Sequence, residues 1–409
     1  MSATPGAAPA RPTVSEATAS ISSRQEKPIR NPWSPGQPER GHQSARIFDG
    51  VCDQLDWPMG SLSLEQHRRL FVAGLACGAR QRIAEAERAG STTRDVYREI
   101  WQKMAAYLAR YRANDAFERK KTHVSGLFQR LTDQLDRLIA EQKIDSRTAR
   151  VFLRALPSLK HIGDYDAIVR NHDGIPVEDP VAADEAYARV VEGMWNRQQH
   201  ARKKFEGFYH FNVRPHGTVQ FRIYISARLS AAPDRLIQAW QAALGETGGL
   251  GTVYFKLPVR LNRRFETIVV YQTREAAYGD LEALLAFVRL CPRHLLNERP
   301  MPTAVPVYRG IAIAPEPAFV NKVVRYMGGH ARLSYNQFIA SVSKLAFELA
   351  YQDAVAYLTV HPTLQSLKSS ARRYFDQMMR LAEIDPVTMM TDVQGVNLPA
   401  WIEAVSASG

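Results

Sequence analysis

Apolar residues recur every three or four positions from residue 45 to about residue 204, which is the period of amphipathic helices. The clearest stripe lies between Asp115 and Ile144. A capping box of Ser63 with Gln66 predicts a helix that ends near Arg88. We therefore predict a helical domain over residues 45–204. Further helices are predicted over residues 94–112, from residue 146 to the residue before Pro157, and over residues 181–204. The stripe consists of Val124, Leu127, Phe128, Leu131, Leu135, Leu138 and Ile139.

At Phe205 the period changes to two, which is typical of strands. Apolar residues alternate up to residue 213 and again over residues 219–225, with the sequence RPHG between the two runs. Gly217 suits the left-handed position of a three-residue hairpin loop. Pairing across that loop predicts that Arg222 lies opposite His210 on the same face of the sheet.

Strands and helices alternate in the sequence that follows. Helices are predicted over residues 233–244 and 275–290, and strands from Thr252 and over residues 265–271. The order β-β-α-β-β-α predicts an α+β fold with a mostly antiparallel sheet. A proline-rich crossing comes next. The second predicted domain, residues 205–409, ends in helices over residues 336–358 and 364–381.

The first 44 residues have few large apolar side chains and are rich in Ala, Ser, Thr and Pro. Such a segment buries too little surface to offset its conformational entropy, so residues 1–44 are predicted to form a disordered tail. The first 12 residues contain no acidic side chain. That composition is compatible with the uncleaved secretion signals of the bacterial type III system.

The chain has 409 residues and a net charge of +12, which favours acidic partners such as phosphate. It lacks the RNP, KH and zinc-finger patterns, so nucleic acid is not an expected partner. The cysteines, Cys52, Cys77 and Cys291, lack metal-ligand spacing, and we expect reduced thiols and neither a metal nor another cofactor. No segment has the ~18 consecutive apolar residues of a membrane span.

The stretch FKLPVRLNRRFETIVVY carries the candidate chemistry. Lys256 interrupts an apolar run there, and burial beside other cations lowers the pKa of a lysine, so that a neutral amine can act as a base. Arg222, Arg263 and Arg264 could hold a phosphate nearby, because guanidinium forks match phosphate oxygens. His210 could then act as an acid. A solvated lysine, surface salt bridges and a structural histidine are the alternative interpretations.

Four short motifs follow one another between Phe205 and Tyr351: FRIYIS, which contains Arg222, then FK at Lys256, then RFETIVVY and PVYRGIAIAPEP. In this order they resemble the HopA family of type III secreted effectors. They are also similar to the related lyases of class V lanthipeptide and thioamitide biosynthesis. The helical N-terminal half matches this family much less clearly.

The resemblance implies β-elimination of phosphate from phosphoserine or phosphothreonine in a protein or peptide substrate. It assigns Lys256 as the base and His210 as the acid. Arg222 and Arg264 are the implied phosphate ligands. It further implies a protein that is made in the bacterial cytoplasm, is secreted into a host cell and has a secretion chaperone as a partner.

The chain departs from the family pattern at three positions. Glu266 replaces an aspartate, Asn336 replaces a glycine, and Ile339 replaces an arginine. Arg332 or Lys344 would have to substitute for that arginine. Two other functions therefore stay open: a non-catalytic effector that binds a host or chaperone protein, and a peptide-tailoring lyase that acts on a bacterial precursor.

Overall fold

The computed structural model describes most of the chain after residue 42, and these residues belong to one compact unit, His42–Gly409. Residues 1–42 of the predicted tail, the predicted helix over residues 63–88 and the RPHG loop lie outside the described residues. Residues 43 and 44, which were also predicted to belong to the tail, begin a helix instead. The described ranges are 43–54, 92–163, 165–170, 180–197, 202–205, 207–213, 219–261, 264–273, 277–299, 301–329, 332–356, 364–391 and residue 407.

Helices precede the sheet, as the apolar period predicted. Thr92 caps α2 in a capping box with Asp95, and Asp145 caps α4 by accepting a hydrogen bond from the Thr148 backbone across 2.7 Å. The predicted stripe faces the core along α3. The helices are α1 Gln43–Gln54, α2 Thr93–Ala109, α3 Phe117–Ala140, α4 Ser146–Ala155, α5 Tyr165–Ile168 and α6 Pro180–Arg197, with a 3-10 turn at Leu156–His161.

The described strands form a seven-stranded sheet in the order β1-β2-β4-β5-β3-β7-β6, and every neighbouring pair is antiparallel. The predicted α+β class is therefore confirmed. The strands are β1 Lys203–Phe205, β2 Phe208–Phe211, β3 Val219–Ile225, β4 Phe255–Pro258, β5 Ile268–Thr273, β6 Val305–Tyr308 and β7 Ile311–Pro315. The helices between them are α7 Pro233–Glu246 and α8 Ala277–Leu290.

The predicted hairpin between β2 and β3 was wrong, because two later strands lie between them. His210 lies opposite Lys256 on β4, and Arg222 lies opposite Tyr271 on β5. Aromatic packing on the other face of the sheet favours this order, since Phe211 of β2 stacks on Phe255 of β4 with ring centroids 4.6 Å apart.

The helix that was predicted over residues 181–204 is shorter than expected. Helix α6 ends at Arg197, and Lys203 and Lys204 belong to β1, at the edge of the sheet. Backbone pairing accounts for the difference, because Lys203 lies opposite His210 and Lys204 opposite Tyr209. Two lysines on a three-residue edge strand disfavour pairing with another chain.

Three helices follow the sheet: α9 Ala318–Tyr326, α10 Tyr335–Ala356 and α11 Leu364–Leu381. The predicted C-terminal helices correspond to α10 and α11. They pack on the N-terminal helices, and Phe48 of α1 contacts Phe347 and Phe375 with ring centroids 5.1 and 5.4 Å apart. One hydrophobic core therefore includes residues from both predicted domains.

The two faces of the sheet differ in character. One face packs on α6, α7 and α8, where Trp240 contacts Phe255 and Phe287. The opposite face carries Lys256, Arg222 and other polar side chains, and it holds the candidate site. Among the described helices, none combines the length and apolar composition that a membrane-spanning segment requires.

Candidate functional site

A lysine and a histidine share the polar face of the sheet. Lys256 and His210 are direct cross-strand partners on β4 and β2, and residues directly opposite each other project from the same face. Lys256 is only 7% exposed. Its Nζ lies 3.7 Å from the centroid of the Phe208 ring, a cation–π contact that replaces part of the lost hydration. The alternation of apolar residues in β4 thus identified the face correctly.

Arg264 lies close to this pair. Its Cζ is 5.8 Å from the centroid of the same Phe208 ring, so the two cations approach one aromatic side chain. One nitrogen of Arg264 pairs with exposed Asp166 at 2.8 Å and another is 3.7 Å from buried Glu266. The structure therefore brings Arg264 together with Lys256. Arg263 lies outside the described residues.

Arg222 is buried and already bound to a carboxylate. Its Nε and Nη2 donate to the two oxygens of Glu316 across 2.8 and 3.0 Å. Arg332 reaches the same carboxylate with Nη2 at 2.7 Å and Nε at 2.9 Å. The Glu316 side chain is 1% exposed and the Arg332 side chain 60%. We call Arg222, Glu316 and Arg332 the arginine–glutamate cluster; its residual positive charge points to solvent through Arg332.

A stack of rings connects the cluster to His210. The Arg222 guanidinium carbon lies 5.0 Å from the centroid of Tyr271, and Tyr271 stacks on Tyr254 with centroids 4.4 Å apart. The Tyr254 hydroxyl is 3.3 Å from His210 Nδ1. Burial raises the pKa of Tyr254, and it raises the pKa of Tyr271 to about 12. Both phenols are therefore neutral near pH 7.

Burial and nearby cations keep His210 neutral. Burial is the main cause that lowers its pKa to about 4, and Lys256, Lys203 and Arg222 lower it further. Around Arg222, burial alone would lower the guanidinium pKa, but the Glu316 carboxylate reverses this effect and raises it well above its usual value. An anion bound between these cations would raise the pKa of His210 again.

Two of the three residues that depart from the expected sequence pattern, Glu266 and Asn336, contact each other. Asn336 donates to Glu266 across 2.9 Å, and Tyr165 donates to the other carboxylate oxygen across 2.6 Å. Thr303 donates to Asn336 across 2.6 Å. Ile339 is fully buried in the core, so a cation at that position would lose its hydration by water. Arg332, one of the two residues expected to substitute for that arginine, lies in the arginine–glutamate cluster.

Sequence reasoning missed several residues of this face. Tyr254 and Tyr271 could have been found, since Tyr254 lies two residues before Lys256 on the same face and Tyr271 follows from the strand order. It also missed the pairing of Arg332 with Glu316. No spacing in the sequence indicates that pair, because it forms only when the chain returns after α9.

Other chemistry has little support among the residues described. Cys52 and Cys291 are free and buried, and burial raises the pKa of each thiol to about 12, so neither is a nucleophile near neutral pH. The described residues contain no group of three or more His, Cys, Asp and Glu side chains placed to hold a metal ion.

Comparisons with known proteins do not assign the chain to a family. No family model matches the sequence, and the search of curated proteins finds no match either.

Proposed function

We propose that the protein is a phosphoserine or phosphothreonine lyase, delivered into a host cell as a type III secreted effector. The observation that carries the proposal is the direct cross-strand pairing of Lys256 with His210 on the polar face of the sheet. A base and an acid on neighbouring strands lie about 5 Å apart at Cβ. This separation suits removal of the proton on Cα and protonation of the oxygen on Cβ of the same residue.

In the proposed reaction the neutral amine form of Lys256 removes the α-proton of the phosphorylated residue and becomes an ammonium group. The Cα–H electrons form the Cα=Cβ double bond, and the Cβ–O bond breaks. His210 protonates the departing phosphate oxygen, so the products are a dehydroamino acid and hydrogen phosphate. The Tyr254 hydroxyl lies against Nδ1 of His210, so Nε2 is the nitrogen that meets the substrate. The substrate dianion raises the low pKa of His210, so that His210 takes up a proton from solvent when the substrate binds and then donates it to the leaving oxygen.

Arg264 and Arg332 bind the phosphate in this mechanism. The two side chains are 24% and 60% exposed, and fixed cations stabilise the charge that develops on the leaving group. Arg222 is a positioning residue, because it is buried and Glu316 occupies its fork, whereas Arg332, which also donates to Glu316, is largely exposed. In this mechanism Arg332 takes the role of the arginine that the resemblance leads us to expect at the position of Ile339.

The test is mass spectrometry of a broad panel of phosphopeptides incubated with the protein. We expect a loss of phosphoric acid that disappears in Lys256→Ala. Lys204→Ala is the matched control, since Lys204 also lies over a ring, 5.2 Å from the centroid of Tyr209, but belongs to the edge strand. Intact phosphopeptides across the whole panel, with wild-type protein shown to be folded, would refute the proposal.

A non-catalytic binding protein is the second candidate. The saturated fork of Arg222 and the low pKa of His210 favour it, because both reduce the reactivity of the site in the free protein. This candidate predicts that Lys256→Ala retains function in host cells. A peptide-tailoring lyase would use the same residues, and activity on a bacterial precursor peptide but not on host phosphoproteins would identify it.

A further inference from the structure

A cluster of tyrosines and cations lies where the end of α2, the start of α3 and the end of α9 meet. Tyr107 of α2 contacts Tyr326 of α9 edge to face, with ring centroids 5.2 Å apart, and this contact joins the two helix ends. Lys120 of α3 lies over the ring of Tyr111, with its Nζ 4.1 Å from the centroid. We call this site the basic corner, and it consists of Arg110, Tyr111, Lys120 and Arg325.

The hydroxyl of Tyr111 has a proton to offer a ligand. It lies 3.3 Å from the hydroxyl of Tyr107, which is buried and has no other hydrogen-bond partner among the described residues. We therefore assign Tyr107 as the donor and Tyr111 as the acceptor. This bond is the main cause that lowers the pKa of Tyr111, whereas burial and then the same bond raise the pKa of Tyr107. Because Tyr111 accepts here, its own proton is left for another acceptor.

Three cations surround this hydroxyl. Arg110 is the residue that caps the end of α2, and Arg325 directly precedes Tyr326 on α9. Together with Lys120 they lower the pKa of the Tyr111 phenol further. Within the described residues, none of these three cations forms an ion pair. Like charges held close together repel one another, so a bound anion would stabilise the arrangement.

The segments around the basic corner carry an excess of positive charge. Residues 110–121 and 318–326 contain seven lysines and arginines but only two acidic residues. Glu118 lies 3.7 Å from Lys121 in an exposed ion pair. Asp115 is exposed and belongs to the turn before α3. Two carboxylates cannot neutralise seven cations, so this part of the surface stays electropositive.

Free carbonyls at the end of α2 do not account for these cations. Cations are favoured near the unpaired carbonyls that end a helix. In the last turn of α2, however, carbonyls accept hydrogen bonds from the backbone nitrogens of Arg110, Tyr111 and Arg112 across 3.3, 2.9 and 3.4 Å. Helix α3 begins at the same corner without a side-chain cap. The amides of its first turn add partial positive charge, which also favours an anion.

We propose that the basic corner binds a phosphate monoester, carried by a small molecule or by a lipid headgroup. Three cations that converge on one hydroxyl match the compact double charge of this group, whereas carboxylates spaced along a peptide would need cations spaced likewise. Guanidinium and ammonium groups both donate to phosphate oxygens, and Tyr111 adds a hydroxyl donor. The basic corner lies on helices outside the sheet, and neither the site nor its test depends on the proposed lyase reaction.

Isothermal titration calorimetry of the full chain with glycerol 3-phosphate, at fixed ionic strength in a buffer free of phosphate, measures the binding. Arg110→Gln/Arg325→Gln removes two exposed cations, and we expect it to weaken binding roughly tenfold, the combined effect of two charge-assisted hydrogen bonds. Tyr111→Phe removes only the hydroxyl and should weaken binding roughly fivefold. The matched control is Arg94→Gln/Arg235→Gln, which removes the same charge from exposed residues at the other end of α2 and on α7 and should leave binding unchanged.

Vesicle co-sedimentation distinguishes the two sources of phosphate. Phosphatidylcholine vesicles carry either phosphatidic acid, whose headgroup is a phosphate monoester, or phosphatidylserine, whose headgroup is not, at equal surface charge. Capture by the phosphatidic acid vesicles with weak binding of glycerol 3-phosphate indicates a lipid ligand. Tight binding of glycerol 3-phosphate without capture by vesicles indicates a soluble ligand. Either result supports the proposal when Arg110→Gln/Arg325→Gln removes the binding.

Three results would overturn the proposal. The first is that wild-type protein binds neither glycerol 3-phosphate nor the phosphatidic acid vesicles. The second is equal capture by both kinds of vesicle without binding of glycerol 3-phosphate, which indicates a basic surface with no phosphate site. The third is binding that survives in Arg110→Gln/Arg325→Gln; its disappearance in Lys256→Ala would assign the phosphate to the candidate site on the sheet instead. Circular dichroism checks that each variant is folded, and if the double variant is not, unchanged binding in Tyr111→Phe overturns the proposal equally.

Discussion

Asn336 donates a hydrogen bond to Glu266 across 2.9 Å, and both side chains are buried. The sequence resemblance had led us to expect a glycine and an aspartate at these two positions. The longer carboxylate reaches the amide, and the amide fills space that a glycine would leave. The two departures therefore compensate each other in packing and in hydrogen bonding.

A double-mutant cycle tests this compensation. Glu266→Asp and Asn336→Gly are each expected to lower the free energy of unfolding by about 1–3 kcal/mol, because each leaves a buried polar group without its partner. The double variant should lose less than the two single losses together, with a coupling of at least about 0.5 kcal/mol. Urea denaturation measures all four proteins. Additive losses would show that the two positions are independent.

In the arginine–glutamate cluster, we expect substitution of buried Glu316 to lower the free energy of unfolding more than substitution of exposed Arg332. Glu316→Ala leaves the guanidinium of Arg222 buried without its carboxylate, and we expect a loss of about 3–5 kcal/mol in the free energy of unfolding. Arg332→Ala removes a side chain that is 60% exposed, and Arg222 keeps its partner, so the expected loss is below about 1 kcal/mol. Similar losses in the two variants contradict this account.

The low pKa of His210 predicts a dependence of stability on pH. An unfolded histidine titrates near 6.5, whereas folded His210 titrates at about 4. Between these values His210 is protonated in the unfolded chain but neutral in the folded protein. The free energy of unfolding therefore falls as the pH falls from about 6.5 to 4. His210→Gln should flatten this dependence in urea denaturation, and His294→Gln, an exposed control, should not. An unchanged slope in His210→Gln would rule out this titration.

Gly163 predicts a strict steric limit beside α10. A Cβ on this residue would lie 2.5 Å from the Ser341 nitrogen and 2.6 Å from the Ala340 carbonyl carbon, both backbone atoms. We expect Gly163→Ala to destabilise the protein by about 1–3 kcal/mol through overpacking. Gly193→Ala provides the contrast, since its Cβ has open space in a helix and the substitution should stabilise by about 0.5–1 kcal/mol. Thermal unfolding of both variants compares them directly.

Local patterns predicted individual elements well. The apolar stripe of α3, the limits of α11 at Leu364 and Leu381 and the orientation of Lys256 all follow from period and alternation within a short segment. Two strands were missed because prolines obscured them. Pro306 is tolerated because β6 is an edge strand, and Pro315 is the last residue of β7.

The arrangement of the site could be predicted only in part. The partners of His210 and Arg222 depend on which strands meet, and the apparent turn between β2 and β3 suggested a pairing that longer-range packing overrides. The pair of Glu316 with Arg332 joins residues on either side of α9, and no local period records such a contact. Long-range pairs of this kind depend on the complete fold.

The strand order also determines at which stage of synthesis and folding the proposed site can form. During synthesis β2 leaves the ribosome well before β4. Strand β3 can pair on both sides only after β5 and β7 have been synthesised. A topology with so many distant pairings folds slowly. A nascent or truncated chain that ends before Lys256 has no base opposite His210, so any chemistry at this face begins only after the central strands are made and inserted.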